Sequence, residues 1–383
     1  MAFISNLVHH PRKLFLRRAL FQIHLWAGVL LSLYLIVISL SGSILVFQDE
    51  LTATTFPSTL APYDIAKTAS IPDVIHAFNG LYPGGKITFL TVPTPTMPAY
   101  QLRAIDAQKH ELRLLADPQT AAIQLQPRNW LNVVHDLHIY LLLGSKHGIQ
   151  INGVGGVVLL LLCITGLFLW WPGVKLWIRG LRISFRHSWR RINFDAHNAI
   201  GIWTLVLVSW WAISGIYFAW YKQVGFVVNA VSPLKGMVAP KPPPPTVSNG
   251  AHASLEEIIT AAQQASPHGR LNEIGDPSLS GSSIHVYMDL RAPNDFSHRD
   301  IVTIDASNAH VLTVWHYGQN QTLGDWIVWS MFPFHFGTLW GFSFKILWFL
   351  LGLSLAVLTA TGLLMYWNRY LRHHWRRLIN SSS

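Results

Sequence analysis

Apolar positions collect in four blocks, roughly Ala19–Phe47, Ile151–Trp171, Ile200–Tyr221 and Phe344–Trp367. Each reaches the ~20 residues that cross ~30 Å of hydrocarbon. None carries Asp, Glu, Lys or Arg at its centre. A core helix of a soluble domain would be shorter and striped, with one polar face. The blocks therefore predict four transmembrane helices. The polar segments between them show shorter patterns. The first predicts a helix over Ile71–Leu81 and alternating, strand-like runs near Lys86–Val92, Ala99–Ile105 and Glu111–Leu115. It closes on Asp117-Pro-Gln-Thr-Ala-Ala-Ile123. The second predicts a helix over Ser254–Ala265, opened by a capping box of Ser254 and Glu257, then strand-like runs near Ser283–Leu290 and Asp300–Ile304. It closes on Asp305-Ala-Ser-Asn-Ala-His-Val311. A helix followed by antiparallel strands reads as a small α+β domain in each case. Pro240-Lys-Pro-Pro-Pro-Pro245 is a stiff extended linker ahead of the second.

The predicted order is a tail over 1–19, a span over 20–47, a domain over 48–148 and a span over 149–172. A basic linker over 173–196, a span over 197–221, a domain over 222–343, a span over 344–368 and a tail over 369–383 follow. The first block follows Arg12, Lys13, Arg17 and Arg18, as a secretory signal would. Its apolar run is about twice the ~7–15 residues of a signal core, and no A-x-A site follows, so it reads as a retained span.

Only 12% of the 383 residues are charged, against about 25% in an ordinary soluble domain. The net charge of +10 matters through its placement. The linker carries Lys175, Arg179, Arg182, Arg186, Arg190 and Arg191 against Asp195 alone, and the last tail carries Arg369, Arg372, Arg376 and Arg377 with no acid. Acids outnumber Lys and Arg in both long loops. The positive-inside rule puts both termini and the linker in the cytoplasm and both domains outside. The basic excess is an orientation signal and a lipid contact, with no argument for nucleic acid. The single cysteine, Cys163, lies in the second span and reads as a small packing residue. One cysteine excludes an intrachain disulfide, an all-cysteine zinc site, a Cys-ligated iron–sulfur cluster and covalent haem through C-x-x-C-H. Nucleotide-binding glycine loops and hydrolase or zinc-protease motifs are missing as well.

The two halves repeat. His24 is followed by Gly28 and Ser41-Gly42, and His197 by Gly201 and Ser214-Gly215, the glycines standing four and eighteen residues on in both. His138 is followed six residues later by Gly144 and then by Thr165-Gly166; His335 by Gly341, six later, and Thr361-Gly362. Both halves run in–out–in, which predicts a parallel repeat about an axis along the membrane normal. That symmetry pairs His24 with His197 at the cytoplasmic face and His138 with His335 at the outer face, on the ends of the spans.

Haem iron takes one neutral imidazole nitrogen on each face, and two imidazoles from different helices can clamp the flat ring. A helix places Gly42 and Gly215 ~27 Å from His24 and His197, at the level of the outer pair. Gly166 and Gly362 fall at the level of the inner pair. Each set of glycines would thin the helices beside the ring bound by the other arms. Against this, a single helix-end histidine is more often an interfacial or capping residue, and small-x-x-x-small patterns also serve helix packing. Zinc is disfavoured because a two-histidine pair lacks a third ligand. His135 reads as a supporting or surface residue; His9, His10, His187, His373 and His374 face solvent or headgroups. Trp170, Trp171 and Trp367 fit an interfacial belt. Trp326, Trp329 and Trp340 serve as an interface anchor or as an aromatic floor for a ligand.

At these residues the chain resembles the PepSY-associated transmembrane helix family of bacteria. The shared motifs are Ile23-His24-Leu25 with a late Ser41-Gly42, Asp136-Leu137-His138, Thr165-Gly166-Leu167-Phe168-Leu169-Trp170-Trp171-Pro172, Asp195-Ala196-His197 and His335-Phe336-Gly337. Many members have Arg after the first and second histidines where this chain has Leu25 and Ile139. The resemblance covers nearly the whole chain and implies four transmembrane α-helices arranged as a tandem parallel repeat, with two small α+β PepSY-like extracytoplasmic domains in an inner membrane. The chain is most similar to the iron-uptake branch, which reduces ferric siderophores, ferrioxamine among them. That implies two non-covalent, bis-histidine haem b groups. Their axial ligands would be His24, His197, His138 and His335, with Gly28, Gly42, Gly166, Gly201, Gly215 and Gly362 beside the rings. It further implies a haem-dependent oxidoreductase that releases Fe(II), fed by a quinol or a cytoplasmic reductant. Two rival readings stand beside it. One is a non-redox membrane protein that binds or transports a siderophore or anchors a partner; the other is a quinol-linked cytochrome with no iron substrate.

Overall fold

A computed structural model describes residues 15–57, 60–245, 252–278, 281–292 and 295–372. Arg12, Lys13, Arg376, Arg377, His9, His10, His373 and His374 lie outside the described residues. The chain divides into a helical unit, with residues up to Phe47, Asn132–Val227 and Met331 onward, and a sheet unit of Gln48–Leu131 and Val228–Ser330.

In the helical unit, α1 (Phe15–Leu30) and α2 (Ser32–Leu45) follow one another, and α3 (Gln48–Ala53) begins the sheet unit. Among the described residues, three later helices are long and apolar enough to cross a membrane: Ser145–Trp170, Trp189–Ala219, and Gly341–Tyr366 continued by a π turn to Leu371. A fourth crossing exists if α1 and α2 count as one, bent by 64°. The segment predicted as one span over 20–47 is thus broken between Leu30 and Ser32. At the break the Ser32 hydroxyl donates to the Val29 carbonyl at 2.8 Å. The spans present large apolar side chains outward, Leu33 at 74%, Trp203 at 70% and Val206 at 78% exposure, as lipid-facing positions would. Inside, Leu35, Leu159, Leu162, Cys163, Val208, Ala212 and Leu355 form one buried cluster. Cys163 packs there as a small apolar residue.

The sheet unit is built from two matching runs. The first is α4 (Ile71–Leu81) followed by β1 (Lys86–Thr91), β2 (Tyr100–Ile105), β3 (Glu111–Ala116) and β4 (Ile123–Leu125). It leads into α5 (Trp130–Tyr140) and the long helix α6 (Ser145–Trp170). The chain then forms α7 (Trp189–Ala219) and α8 (Tyr221–Val231). The second run is α9 (Leu255–Ala265), β5 (Arg270–Gly275), β6 (Ser283–Asp289), β7 (Arg299–Asp305) and β8 (Val311–Tyr317), followed by α10 (Leu323–Phe336) and α11 (Gly341–Tyr366). Both α4 and α9 open with capping boxes, Ser70 with Asp73 and Ser254 with Glu257. Each satisfies free N–H groups of the first turn. Helix α4 buries Val74 and Phe78 on Ile87, Leu90, Leu102 and Leu114; α9 buries Ile258 on Ile274, Ile284, Val286, Val302 and Ile304. The closing turns are alike. Asp117 accepts from the N–H groups of Gln119 and Thr120, and Asp305 from the N–H and hydroxyl of Ser307. Ala121 and Ala309 both sit at φ 57°.

The strands form a single antiparallel sheet in the order β4-β3-β2-β1-β5-β6-β7-β8. The seam is β1 on β5, with Phe89 opposite Gly275 and Thr91 opposite Glu273. Asp325, at the start of α10, is fully buried. Its carboxylate accepts from the N–H groups of Lys235, Gly236, Met237, Gln321 and Thr322. Burial alone would raise its pKa, but the ring of backbone donors outweighs that and holds the carboxyl well below the usual carboxylate range.

Candidate functional site

The four histidines come from four different helices, and the structure brings them together as two pairs. His24 on α1 and His197 on α7 have ring centres 6.4 Å apart with planes at 90°. His138 on α5 and His335 on α10 are 6.2 Å apart with planes at 57°. The second pair corrects one expectation. These residues do not sit on the ends of the spans; each ends its own short helix. Backbone of positive φ separates that helix from the span: Leu141, Leu142 and Gly144 after α5, Gly337 and Gly341 after α10. Gly337 sits at φ 71°, and a Cβ there would come within 2.6 Å of the Trp348 ring. The third residue of His335-Phe336-Gly337 must be glycine on both counts.

Each imidazole is held in one way. His24 Nδ1 meets Thr165 Oγ1 at 2.9 Å and His197 Nδ1 meets Thr361 Oγ1 at 2.9 Å. His138 Nδ1 meets Ser41 Oγ at 3.1 Å and His335 Nδ1 meets Ser214 Oγ at 2.7 Å. All four hydroxyls already donate to carbonyls one turn back in their own helices: Thr165 to Leu161, Thr361 to Val357, Ser41 to Val37 and Ser214 to Trp210. A hydroxyl has one proton to give, so toward histidine it must accept. His197 Nδ1 also reaches the Leu358 carbonyl at 3.1 Å, which can only accept. Every Nδ1 thus carries the proton and every Nε2 keeps its lone pair. Further bonds fix the backbone nearby. Asn152 donates to the His138 carbonyl at 2.7 Å and receives the Tyr34 hydroxyl at 2.7 Å; Asn193 donates to the Thr361 carbonyl at 3.0 Å.

Each Ser or Thr immediately precedes one of the distant glycines. The sequence showed them in the repeated Ser-Gly and Thr-Gly pairs, yet gave them no role. Their signal was their register with the histidines. The glycines themselves divide into two groups. A Cβ on Gly42 would stand 2.7 Å from His138 Cε1, on Gly166 3.3 Å from His24 Cε1 and on Gly362 3.5 Å from His197 Cε1. These three make room first for an imidazole, at the level the helical rise predicted. Gly215 has nothing within 4 Å; Gly28 and Gly201 meet only a leucine methyl, at 4.0 and 3.6 Å. Of these, Gly215 faces open space, and Gly28 and Gly201 are in ordinary contact with a neighbouring leucine.

A cavity of about 1140 Å³ opens beside His24 and His197 and is lined by Gly28, Gly166, Gly201 and Gly362. Beside the other pair, Trp210 and Trp348 have buried indole N–H groups with no acceptor among the described residues. Both rings pack on Phe334, the neighbour of His335. Among the described residues no group of three or more His, Cys, Asp or Glu could hold a metal ion. His135 stays at the edge, 3.4 Å from Asp136, and His187 is exposed. Trp326 and Trp340 are exposed. Trp329 is neither anchor nor floor: it is buried in the sheet unit, bonded to the Ser297 carbonyl and packed on His298.

The long apolar helices and the appended sheet define a membrane-embedded protein with a separate antiparallel sheet domain. No curated protein matches the chain. Its family is nevertheless clear: the model of the PepSY-associated TM region matches residues 21–369, and the chain belongs to that family.

Proposed function

We propose that the protein is a di-haem b reductase of a bacterial inner membrane that passes single electrons across the bilayer to a ferric siderophore, ferrioxamine by resemblance, and releases Fe(II). In this reading α1 and α2 form one bent span, the four spans are a tandem repeat, both termini are cytoplasmic, and the sheet unit comprises two joined PepSY domains. Matched capping boxes, matched closing turns and the mirrored strand order support the repeat.

The observation that carries the reading is the geometry of the pairs. Two imidazoles that aim Nε2 at one ion from opposite sides, at about 2.0–2.1 Å, hold their ring centres ~6.3 Å apart. The centres here are 6.4 and 6.2 Å apart, with all four Nε2 lone pairs free. A bare ion would need further protein ligands, whereas iron in a macrocycle brings four of its own. The cavity, lined by Gly28 and Gly201, suits a flat ring at the first pair, and the two unpaired indole donors suit oxygen acceptors near the second. Bound haem supplies a one-electron iron couple at each level. His24, His197, His138 and His335 would hold the iron, and Thr165, Thr361, Ser41 and Ser214 would fix their tautomer.

A reduced-minus-oxidised spectrum of protein purified from haem-replete cells tests the reading in one measurement. We expect a b-type spectrum that halves in His138→Ala and in His24→Ala. Protein without a Soret band would overturn it and leave the non-redox alternatives. Reoxidation of the reduced protein by ferrioxamine then separates a ferric reductase from a quinol-linked cytochrome.

A further inference from the structure

Arginines gather on one side of the cavity beside His24 and His197. Arg17, Arg18, Arg190 and Arg369 line it, and no Asp or Glu does. Arg17 is already engaged: its guanidinium donates to the carbonyls of Phe168 and Trp171 at 3.1 and 3.2 Å, and to that of Leu169. It caps the end of α6. The nearby carboxylate of Asp195 is taken by Arg191 at 3.0 Å. Arg190 and Arg369 pair with no carboxylate among the described residues.

Their spacing is informative. Arg190 precedes His197 by seven residues on α7, and Arg369 follows Gly362 by seven on the continuation of α11. Seven α-helical residues are about two turns, so Arg190 lies on the same face of α7 as His197, ~10.5 Å along the axis, while Arg369 stands on the π turn beyond α11 and lines the same cavity. Gly362 stands against His197, and Trp348 against Trp211 at the far end, so the two helices run antiparallel and both arginines fall on the same side of the histidines. The Arg369 guanidinium lies over the Phe21 ring, 4.9 Å from its centre. Both guanidiniums line the same cavity as His24 and His197.

We infer that Arg190 and Arg369 form a carboxylate clamp for the propionate edge of the haem at His24 and His197. The inference rests on the haem reading above. Guanidinium and carboxylate meet through paired, charge-assisted hydrogen bonds, the strong kind at a half-wet site.

The test uses the full chain carrying His138→Ala, so that only the first site loads, in nanodiscs of neutral lipid. Apoprotein is titrated with haem and with haem dimethyl ester, whose carboxylates are blocked. The unsubstituted clamp is expected to prefer haem about tenfold or more per arginine. Arg190→Gln with Arg369→Gln should remove that preference and leave ester binding unchanged; Arg190→Lys should retain part of it. Equal discrimination in the double variant overturns the clamp. So does a preference that appears only when anionic lipid is added, which would assign the arginines to headgroups. If neither compound binds and His197→Ala changes nothing, the haem reading itself has failed, a result distinct from the loss of the clamp alone.

Discussion

A histidine can serve iron only through a nitrogen that is free of its proton, and here the choice of nitrogen is made by a helix. Ser41, Thr165, Ser214 and Thr361 each use their one proton on their own backbone and so accept from Nδ1. Losing such a partner typically costs 10–100-fold in metal affinity. The four are not equal, because His197 keeps the Leu358 carbonyl when Thr361 is lost. Ser214→Ala should therefore weaken haem retention, read by Soret titration, more than Thr361→Val does. The glycines make a second contrast. Gly42→Ala drives a methyl into the His138 ring, whereas Gly215→Ala meets nothing within 4 Å. We expect Gly42→Ala to abolish the signal of the second site and Gly215→Ala to retain it, both judged from the reduced-minus-oxidised spectrum.

Legibility at the scale of elements followed the physics of each segment. The helix over Ile71–Leu81 and the capped start at Ser254 were readable from periodicity and capping chemistry, as were five of the eight strands, β1, β2, β3, β6 and β7, while β5, which runs through polar Asn272 and Glu273, was missed. Strand β8 was missed because nearly all of its residues are half-buried, so no alternation marks it. β4 has only three residues. Helices α5 and α10 merged with the spans behind them, because the break after α5 begins at Leu141 and Leu142, apolar residues in a left-handed conformation that carry no turn signature. The histidines and glycines of the candidate site were legible because a duplicated register exposed them. Their hydroxyl partners lay in the same register, but orientation of an imidazole leaves no mark on hydropathy. The break between α1 and α2 left no mark either: Val29-Leu30-Leu31-Ser32 contains no Gly or Pro.

For the whole molecule, Asp325 is the residue on which most local order converges in the sheet unit. Asp325→Asn turns one acceptor into a donor facing N–H groups, and on the order of 3 kcal/mol should be lost from that unit's unfolding. The sign of the pH effect follows from the depressed carboxyl. A group whose folded pKa lies below its unfolded one stabilises the fold above the unfolded value, and that stability is lost as pH falls toward the folded one. The gap in melting temperature between native and Asn protein should be constant between about pH 5 and 8 and narrow below about pH 4. A gap that widened on acidification would contradict this.

The seam between β1 and β5 has a consequence for how such a chain can be divided. Strand order is mirrored about it, so a polypeptide cut in the linker ahead of α7 would yield two fragments, each ending its sheet on a bare edge of unpaired N–H and C=O groups. The matching edge for each fragment lies on the other. Two such fragments made in one cell would seek each other out, and either made alone would be left to pair with its own copy or to aggregate.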